Sequence, residues 1–248
     1  MEQSIIDKHE FVPTEEFSVR TIAGALSWIT LANRPAEVHS LASVLRFMHA
    51  QTAAVVEACK HFASWLLGTR DDPLVFVATE EMVTAIFGDS SHANDRLTSR
   101  GYIGRLLRVG INTISWKSTL PKTVSLSSRD GELQAAIHAC KCIIGFGILL
   151  RDLGIHPGGP LPVYSDSSAT VDCVNSDMIH KESRWNSIRL NWLRQQVLDR
   201  LVRVVWVSGD GMLADICTKH LSSHQKFMET RALLMNLKYR FTKFYGRR

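Results

Sequence analysis

The order of the segments after residue 83 places the tightest constraint on the fold. Three strand-like segments come first, and the second and third flank a tight turn at residues 108–110. A long helix-like segment then runs to about Leu153, after which strands at 161–164 and 201–207 alternate with helices. This order predicts an α/β domain in which helices cover one mixed five-stranded sheet.

The N-terminal part of the chain has a different pattern. Apolar residues recur at helical spacing from Thr14 to a break at 33–35 and again over 36–49 and 53–67, with Thr14 or Ser18 as a possible cap. We therefore expect a small all-helical segment at 1–73, the α/β domain at 74–237 and a basic, aromatic tail at 238–248. A short β-like run at 74–78 is expected to open the second part.

Composition and charge exclude several classes of protein. The chain has 248 residues, of which 45% are hydrophobic, and its net charge of +5 permits a polyanionic partner without requiring one. The apolar run at 142–150 is shorter than the roughly 20 residues that a membrane span needs, so we expect no membrane partner. The acidic N-terminus and five cysteines without a C-x-x-C pair predict an intracellular protein, in the cytoplasm or nucleus, that is not secreted and binds no zinc.

Four carboxylates occupy positions where strands end or helices begin: Asp89, Glu132, Asp166 and Asp215. If such residues meet at one edge of a sheet, their mutual repulsion favours a divalent cation between them. Mg²⁺ prefers hard oxygen ligands, and two such ions can promote hydrolysis of a phosphodiester. Each acid taken alone is more often a turn or cap residue, so spacing does not decide between the two interpretations.

Several ordered motifs resemble one family, the copia-type LTR retrotransposon polyproteins. FGDSSHA (87–93) is similar to that family's "YSDADWA", and VWVSGDGMLADICTKHL (205–221) is similar to "yvpt.dqlADilTKpL". Further resemblances cover nearly all of residues 17–237: RTIAGALSWITLANRPAEV, ACKHFASWLLGTRD, DRLTSRGYIG with ISWKS, TVSLSSRDGELQA and YSDSSATV. The matching region of the family is the end of its reverse transcriptase followed by its ribonuclease H.

The resemblance implies a ribonuclease H-like fold and a metal-dependent endonuclease that hydrolyses the RNA strand of RNA–DNA hybrids. It places the catalytic, metal-binding acids at Asp89, Glu132, Asp166 and Asp215, in the order of a ribonuclease H and not of an integrase. Asp89 would contact two Mg²⁺ ions, with Mn²⁺ as the alternative metal. The implied partners are the hybrid and the remainder of a reverse transcriptase. The residues expected to contact nucleic acid are Arg96, Ser128, Ser167, Arg189 and Lys219.

Departures from the family pattern leave other functions open. Ser91 replaces a second aspartate, Ser167 replaces an asparagine, residues 184–187 differ from the family's "tKHID", and the loop at 208–211 has no histidine. The alternative is a domesticated or decayed protein that binds nucleic acid or assists assembly without cutting. A purely structural helical adaptor would require that 83–221 lack a mixed sheet. The nuclease hypothesis requires the four acids to meet, with no lysine or arginine filling the cluster.

Overall fold

The computed structural model describes residues 18–49, 52–79, 83–176 and 187–239. Within these ranges the strands are β1 (Thr84–Ser90), β2 (Ile103–Val109), β3 (Asn112–Thr119), β4 (Leu161–Ser165) and β5 (Val202–Trp206). The α-helices are α1 (Val19–Asn33), α2 (Val38–Arg46), α3 (Ala53–Gly68), α4 (Ser128–Asp152), α5 (Ser168–Asn175), α6 (Ser187–Leu198) and α7 (His224–Leu234). Short 3₁₀ helices lie at Pro35–Glu37, Gly209–Gly211, Leu213–Cys217 and Leu237–Tyr239.

The five strands form one mixed sheet in the order β3-β2-β1-β4-β5. β1, β2 and β3 are antiparallel neighbours, whereas β4 is parallel to β1 and β5 is parallel to β4. Gly110, with a φ of 56°, makes the tight turn between β2 and β3. The parallel pair β1–β4 needs a long crossover, which α4 supplies. The predicted ribonuclease H-like α/β fold is confirmed by this strand order, and a purely helical adaptor is excluded.

Helix α4 is the central helix of the domain and packs on the sheet. The Ser127 side chain accepts a hydrogen bond from the backbone N–H of Asp130 and thereby caps the helix start, as predicted from the sequence. The helix buries a stripe that includes Ala136, Cys140 and Ile143 against the sheet residues Ile86, Leu107 and Val163. Among the described residues, α4 alone is long and apolar enough to cross a membrane, and 56% of its most apolar 18 residues are buried. A core helix has the same properties.

The N-terminal helices pack in two directions. α1, α2 and α3 share a core of their own, in which Val19, Leu41 and Cys59 are nearly inaccessible. Ala36 and Val38 instead pack against residues of the α/β domain. In addition, the buried indole N–H of Trp116 donates a hydrogen bond to the carbonyl oxygen of Thr30. The domain boundary at residue 73 stays a prediction, because buried contacts join the two sides of it.

A buried ionic network also joins these two parts of the chain. Arg231 on α7 is 0% exposed and donates from Nε to Glu37 Oε1 at 2.8 Å and from Nη1 to Asp72 Oδ2 at 2.9 Å. The indole N–H of Trp65 donates to the same Glu37 oxygen at 3.1 Å. Buried charges are tolerated when they are paired and hydrogen-bonded in this way.

Some local predictions were wrong or differ in detail. Residues 74–78 form no strand: the Val75 N–H donates to the Met235 carbonyl and the Val77 N–H to Asn112 Oδ1. Asp215 lies in a short 3₁₀ helix instead of a longer helix. The substituted motif at 184–187 and the predicted tail lie mostly outside the described residues.

Candidate active site

Two adjacent parallel strands bring Asp89 and Asp166 together. Phe87 of β1 is in register with Tyr164 of β4, and each aspartate lies two residues beyond its member of that pair. Asp89 is the second-to-last residue of β1, which ends at Ser90, and is only 2% exposed. Asp166 follows the last residue of β4 and is half-buried.

The segment after β5 carries the third acid across the sheet. Asp215 lies in the 3₁₀ helix Leu213–Cys217, which packs on β1 and β2. Gly104, the residue of β2 opposite Asp89, permits this close packing, because a Cβ there would lie 2.6 Å from Thr218 Cγ2. One carboxylate oxygen from each of Asp89, Asp166 and Asp215 lies within 4.8 Å of the other two.

Thr218 fixes one oxygen of the most buried acid. The side chain is 0% exposed, and its hydroxyl donates a hydrogen bond to Asp89 Oδ2. The same hydroxyl lies 3.1 Å from the backbone carbonyl oxygen of Asp215. Thr218 therefore links the strand that carries Asp89 to the segment that carries Asp215.

Glu132 approaches the cluster from the start of α4. Its Oε1 accepts two hydrogen bonds from Ser90, one from the backbone N–H at 3.2 Å and one from the hydroxyl at 2.7 Å. Its Oε2 is buried and has no hydrogen-bond partner within the described ranges. Glu132 lies outside the group of three oxygens defined above, on the β1 side of the site.

Burial raises the pKa of these carboxyl groups. Desolvation, followed by repulsion from Asp215, raises the pKa of Asp89 to about 6, although the hydrogen bond from Thr218 opposes the shift. Desolvation and then repulsion from Asp89 raise the pKa of Glu132 to about 8. The pKa of Asp166 is also raised, first by desolvation and then by Asp215. A nearby cation would favour the charged forms of all three.

Lys219 is the cation nearest to this cluster among the described residues. Its Nζ lies 2.8 Å from Asp215 Oδ1, and the Lys219 side chain is 41% exposed. Burial lowers its pKa, but the contact with Asp215 and attraction to Asp89 and Asp166 outweigh that effect and raise the pKa overall. The lysine forms an ion pair with one acid of the cluster, Asp215, and its charge also acts to lower the pKa of Asp89 and of Asp166.

The other residues predicted to contact nucleic acid have different local surroundings. Arg96 is exposed in the turn between β1 and β2, and Ser128 is exposed at the first residue of α4. Ser167 caps α5, where its Oγ accepts from the Thr170 N–H. Arg189 on α6 is exposed and forms an ion pair with Asp130 at 3.4 Å. Their role in binding nucleic acid stays a prediction.

Sequence reasoning missed two hydroxyl groups and left one replacement unexplained. Ser90, which holds Glu132, carries no pattern in the sequence that marks it. Thr218, which holds Asp89, coincides with the threonine of the family motif "ADilTKpL", and that match is the one signal that could have found it. Ser91, which stands where the family has a second aspartate, is buried and accepts a hydrogen bond from the Tyr102 N–H at 2.8 Å. This serine serves the backbone and not the carboxylate cluster. Its neighbour Ser90, next to Asp89, could have been found only as a hydroxyl adjacent to a predicted ligand.

The donor set suits a divalent metal ion. It consists of carboxylate oxygens, which hard cations prefer. Oε2 of Glu132 is buried and has no hydrogen-bond partner in the described residues, and three other carboxylates approach one another closely. The single positive charge of Lys219 offsets only part of the negative charge of these acids. The residues present therefore fit a divalent cation.

Comparison with curated proteins gives relatives of one kind. The chain is 30% identical over 196 residues, 79% of its length, to the "Retrovirus-related Pol polyprotein from transposon TNT 1-94" of Nicotiana tabacum. It is 29% identical over 213 residues, 84% of its length, to the corresponding polyprotein from transposon RE1 of Arabidopsis thaliana. The chain spans only 15% and 14% of the length of these relatives. No protein-family model matches the chain.

Comparison with solved structures gives more distant similarities. One is the crystal structure of LC11-RNase H1 in complex with an RNA/DNA hybrid, with 14% identity, a TM-score of 0.41, and coverage of 54% of this chain and 93% of that one. Another is the Prototype Foamy Virus protease–reverse transcriptase, with 13% identity, a TM-score of 0.38, and coverage of 69% and 22%. The resemblance to retrotransposon polyproteins predicted from the motifs is confirmed by the curated relatives. The chain thus combines a ribonuclease H-like domain with sequence similarity to retrotransposon Pol polyproteins.

Proposed function

We propose that this chain is a metal-dependent endonuclease that hydrolyses the RNA strand of RNA–DNA hybrids. One observation carries the proposal: Asp89, Asp166 and Asp215 come from distant parts of the chain and converge within 4.8 Å, with Glu132 beside them. Carboxylates placed this close together repel one another, and a divalent cation between them relieves that repulsion. The sequence similarity to Pol polyproteins agrees with this activity.

The proposed cofactor is a pair of Mg²⁺ ions, with Mn²⁺ as an alternative. Asp89 is central and would be shared, Glu132 and Asp166 would hold one ion, and Asp215 would hold the other. Two bound ions supply an activated water and stabilise the leaving oxygen of the phosphodiester. The protein's own part is to hold the carboxylates close together, with Thr218 and Ser90 fixing one oxygen of Asp89 and of Glu132.

The proposed partners are the hybrid and the rest of a reverse transcriptase. Arg96, Arg189 and Lys219 offer cations to phosphates, which would make binding weaken as salt rises. Ser128 and Ser167 offer hydroxyl groups, and Ser167 directly follows Asp166 in the chain. Because the curated relatives are much longer, we propose that this activity operates within a larger polyprotein in the cell.

The test is cleavage of an end-labelled RNA–DNA hybrid with Mg²⁺ or Mn²⁺. Asp89→Asn and Glu132→Gln keep the shape of each side chain but remove its charge, so we expect both to abolish cleavage and to leave hybrid binding unchanged or tighter. Asp152→Asn, an exposed acid at the far end of α4, is the matched control and should cleave normally. Undiminished cleavage by either site variant would refute the proposal.

One observation favours the second candidate, a protein that binds nucleic acid without cutting it. Ser91 and Ser167 stand where the family motifs have an aspartate and an asparagine, as a decayed site that no longer binds metal could show. Calorimetric titration with Mn²⁺ separates the two functions. The nuclease should bind divalent ions in the millimolar range or tighter and lose this binding in Asp89→Asn, whereas the non-catalytic protein should bind the hybrid with no dependence on divalent ions.

A further inference from the structure

Ser90 links two acids of the site: it adjoins Asp89 in the chain and donates hydrogen bonds to Glu132. Ser90 follows Asp89 directly and is the last residue of β1. Its backbone N–H and its hydroxyl both donate to the same oxygen, Oε1 of Glu132, at 3.2 and 2.7 Å. One oxygen of Glu132 is therefore occupied by two donors.

The other oxygen of Glu132 is left without any such partner. Oε2 is buried and accepts no hydrogen bond from the described part of the chain. A buried carboxylate oxygen without a partner is costly unless a cation or donor comes to it. The two oxygens of Glu132 are thus differentiated, one held by the protein and one available to a ligand.

The packing of α4 on β1 makes this arrangement close. Gly131 precedes Glu132, and a Cβ at this glycine would lie 2.6 Å from Ser90 Oγ. Only a residue without a side chain at 131 lets the hydroxyl of Ser90 reach the carboxylate in its present position. Two neighbouring features, a hydroxyl at 90 and a glycine at 131, serve the same contact.

We infer that Ser90 is a positioning residue for Glu132, holding Oε1 so that Oε2 is presented to a divalent cation at the proposed nuclease site. The inference rests on the proposed function for the identity of the ligand. In the family motif given above, alanine stands at the position of Ser90, so the hydroxyl distinguishes this chain from that pattern. Because the family motif has alanine at this position, the Ser90→Ala variant should fold.

The test measures metal affinity separately from catalysis. Ser90→Ala removes one of two donors to a charged group, and we expect Mn²⁺ binding to weaken about tenfold by calorimetry. In cleavage assays at subsaturating Mn²⁺, kcat should fall while the KM for hybrid stays within about twofold, because Ser90 contacts a proposed ligand and not the substrate. Gly131→Ala should have the same effect by displacing the Ser90 hydroxyl.

Ser91→Ala is the matched control, because the Ser91 hydroxyl serves the backbone of Tyr102. It should bind Mn²⁺ like the wild type, and metal-free thermal melts should show that all variants are folded. If the wild type binds Mn²⁺ and Ser90→Ala binds it equally well, the positioning role is overturned and the proposed nuclease stands. If the wild type binds no divalent ion, both the proposed nuclease and the role of Ser90 are overturned.

Discussion

Lys219 Nζ lies 2.8 Å from Asp215 Oδ1, four residues before it in the chain, and so places an ammonium group at the edge of the carboxylate cluster. This cation offsets part of the repulsion among Asp89, Asp166 and Asp215 when no metal is bound. It also competes with any metal ion for Asp215. The half-exposed position of the lysine allows its side chain to turn outward into solvent.

Lys219→Met should therefore tighten the binding of divalent ions. Removing a competing charge from a partly exposed ion pair is expected to improve Mn²⁺ affinity by about threefold to tenfold. The melting temperature of the metal-free protein should fall, because the acids then repel without compensation. Calorimetry and thermal melts measure the two effects, with Lys226→Met, which removes a lysine paired to the fully exposed Asp210, as the control. Weaker Mn²⁺ binding in Lys219→Met would contradict the expectation.

The stability of the metal-free protein should fall as pH rises through the range of the buried acids. Asp89 and Glu132, with pKa values of about 6 and about 8, keep protons in the folded state that the unfolded chain releases near their ordinary values of 3.8 and 4.5. The folded state then binds more protons, so its stability is highest below about pH 4 for these groups and declines up to about pH 8. Saturating Mg²⁺ should flatten this decline.

Because other groups also titrate, comparison with Glu132→Gln isolates the contribution of Glu132 to the pH dependence of stability. Burial and then His220 lower the pKa of His39 to about 3, so this histidine makes stability decline in the opposite direction, as pH falls below about 6.5. Thermal melts in chelator from pH 5 to 9 should show a smaller decline for Glu132→Gln than for the wild type. Glu57→Gln, at an exposed position, should follow the wild type. Equal slopes for Glu132→Gln and the wild type would contradict the raised pKa of Glu132.

The buried ion pairs of Arg231 with Glu37 and Asp72 should contribute strongly to the free energy of unfolding. Arg231→Met leaves the carboxylates of Glu37 and Asp72 without their partner, and breaking a buried pair in this way costs about 3–5 kcal/mol. Urea denaturation measures the loss of free energy of unfolding. Arg70→Met, which removes an arginine whose pair with Asp71 is exposed, should cost less than about 1 kcal/mol. A loss below that value in Arg231→Met would show that the network contributes little.

The global pattern of the fold was predictable because it depends on periodicity and on turn chemistry close in sequence. The Gly110 turn and the Ser127 cap are local signals, and they place β2, β3 and α4 correctly. The strand predicted at 74–78 was wrong because a strand forms only where a neighbouring strand can pair with it. Its backbone groups bond to Met235 and Asn112 instead of to a strand, and no local pattern encodes that choice.

The acids of the candidate site were predictable from motif resemblance, but their environment was not. Ser90, Thr218 and Lys219 act on the acids through distances that only the folded chain defines. The predicted contact of Lys219 with nucleic acid stays a prediction. A hydroxyl beside a ligand looks the same in sequence whether it serves a carboxylate, as Ser90 does, or a backbone N–H, as Ser91 does.

Gly104→Ala should disturb the site without touching any of its acids. A Cβ at this position would lie 2.6 Å from Thr218 Cγ2 and 2.7 Å from Cys217 Cβ, and both neighbours are buried. Relief requires the segment that carries Asp215 to move away from β2, which also pulls the Thr218 hydroxyl away from Asp89. We expect a loss of about 1–3 kcal/mol in stability from this overpacking, together with weaker Mn²⁺ binding.

Gly24→Ala is the control, because it makes the same substitution at a position where a Cβ meets no neighbouring atom. Nothing lies within 4 Å of a Cβ at Gly24, which is in the interior of α1, so this substitution should raise stability by about 0.5–1 kcal/mol through helix propensity. Urea denaturation and Mn²⁺ calorimetry on both variants distinguish a local backbone effect from a displaced Asp215. If Gly104→Ala binds Mn²⁺ as tightly as Gly24→Ala, the close approach of β2 to the Asp215 segment does not set the geometry of the carboxylates.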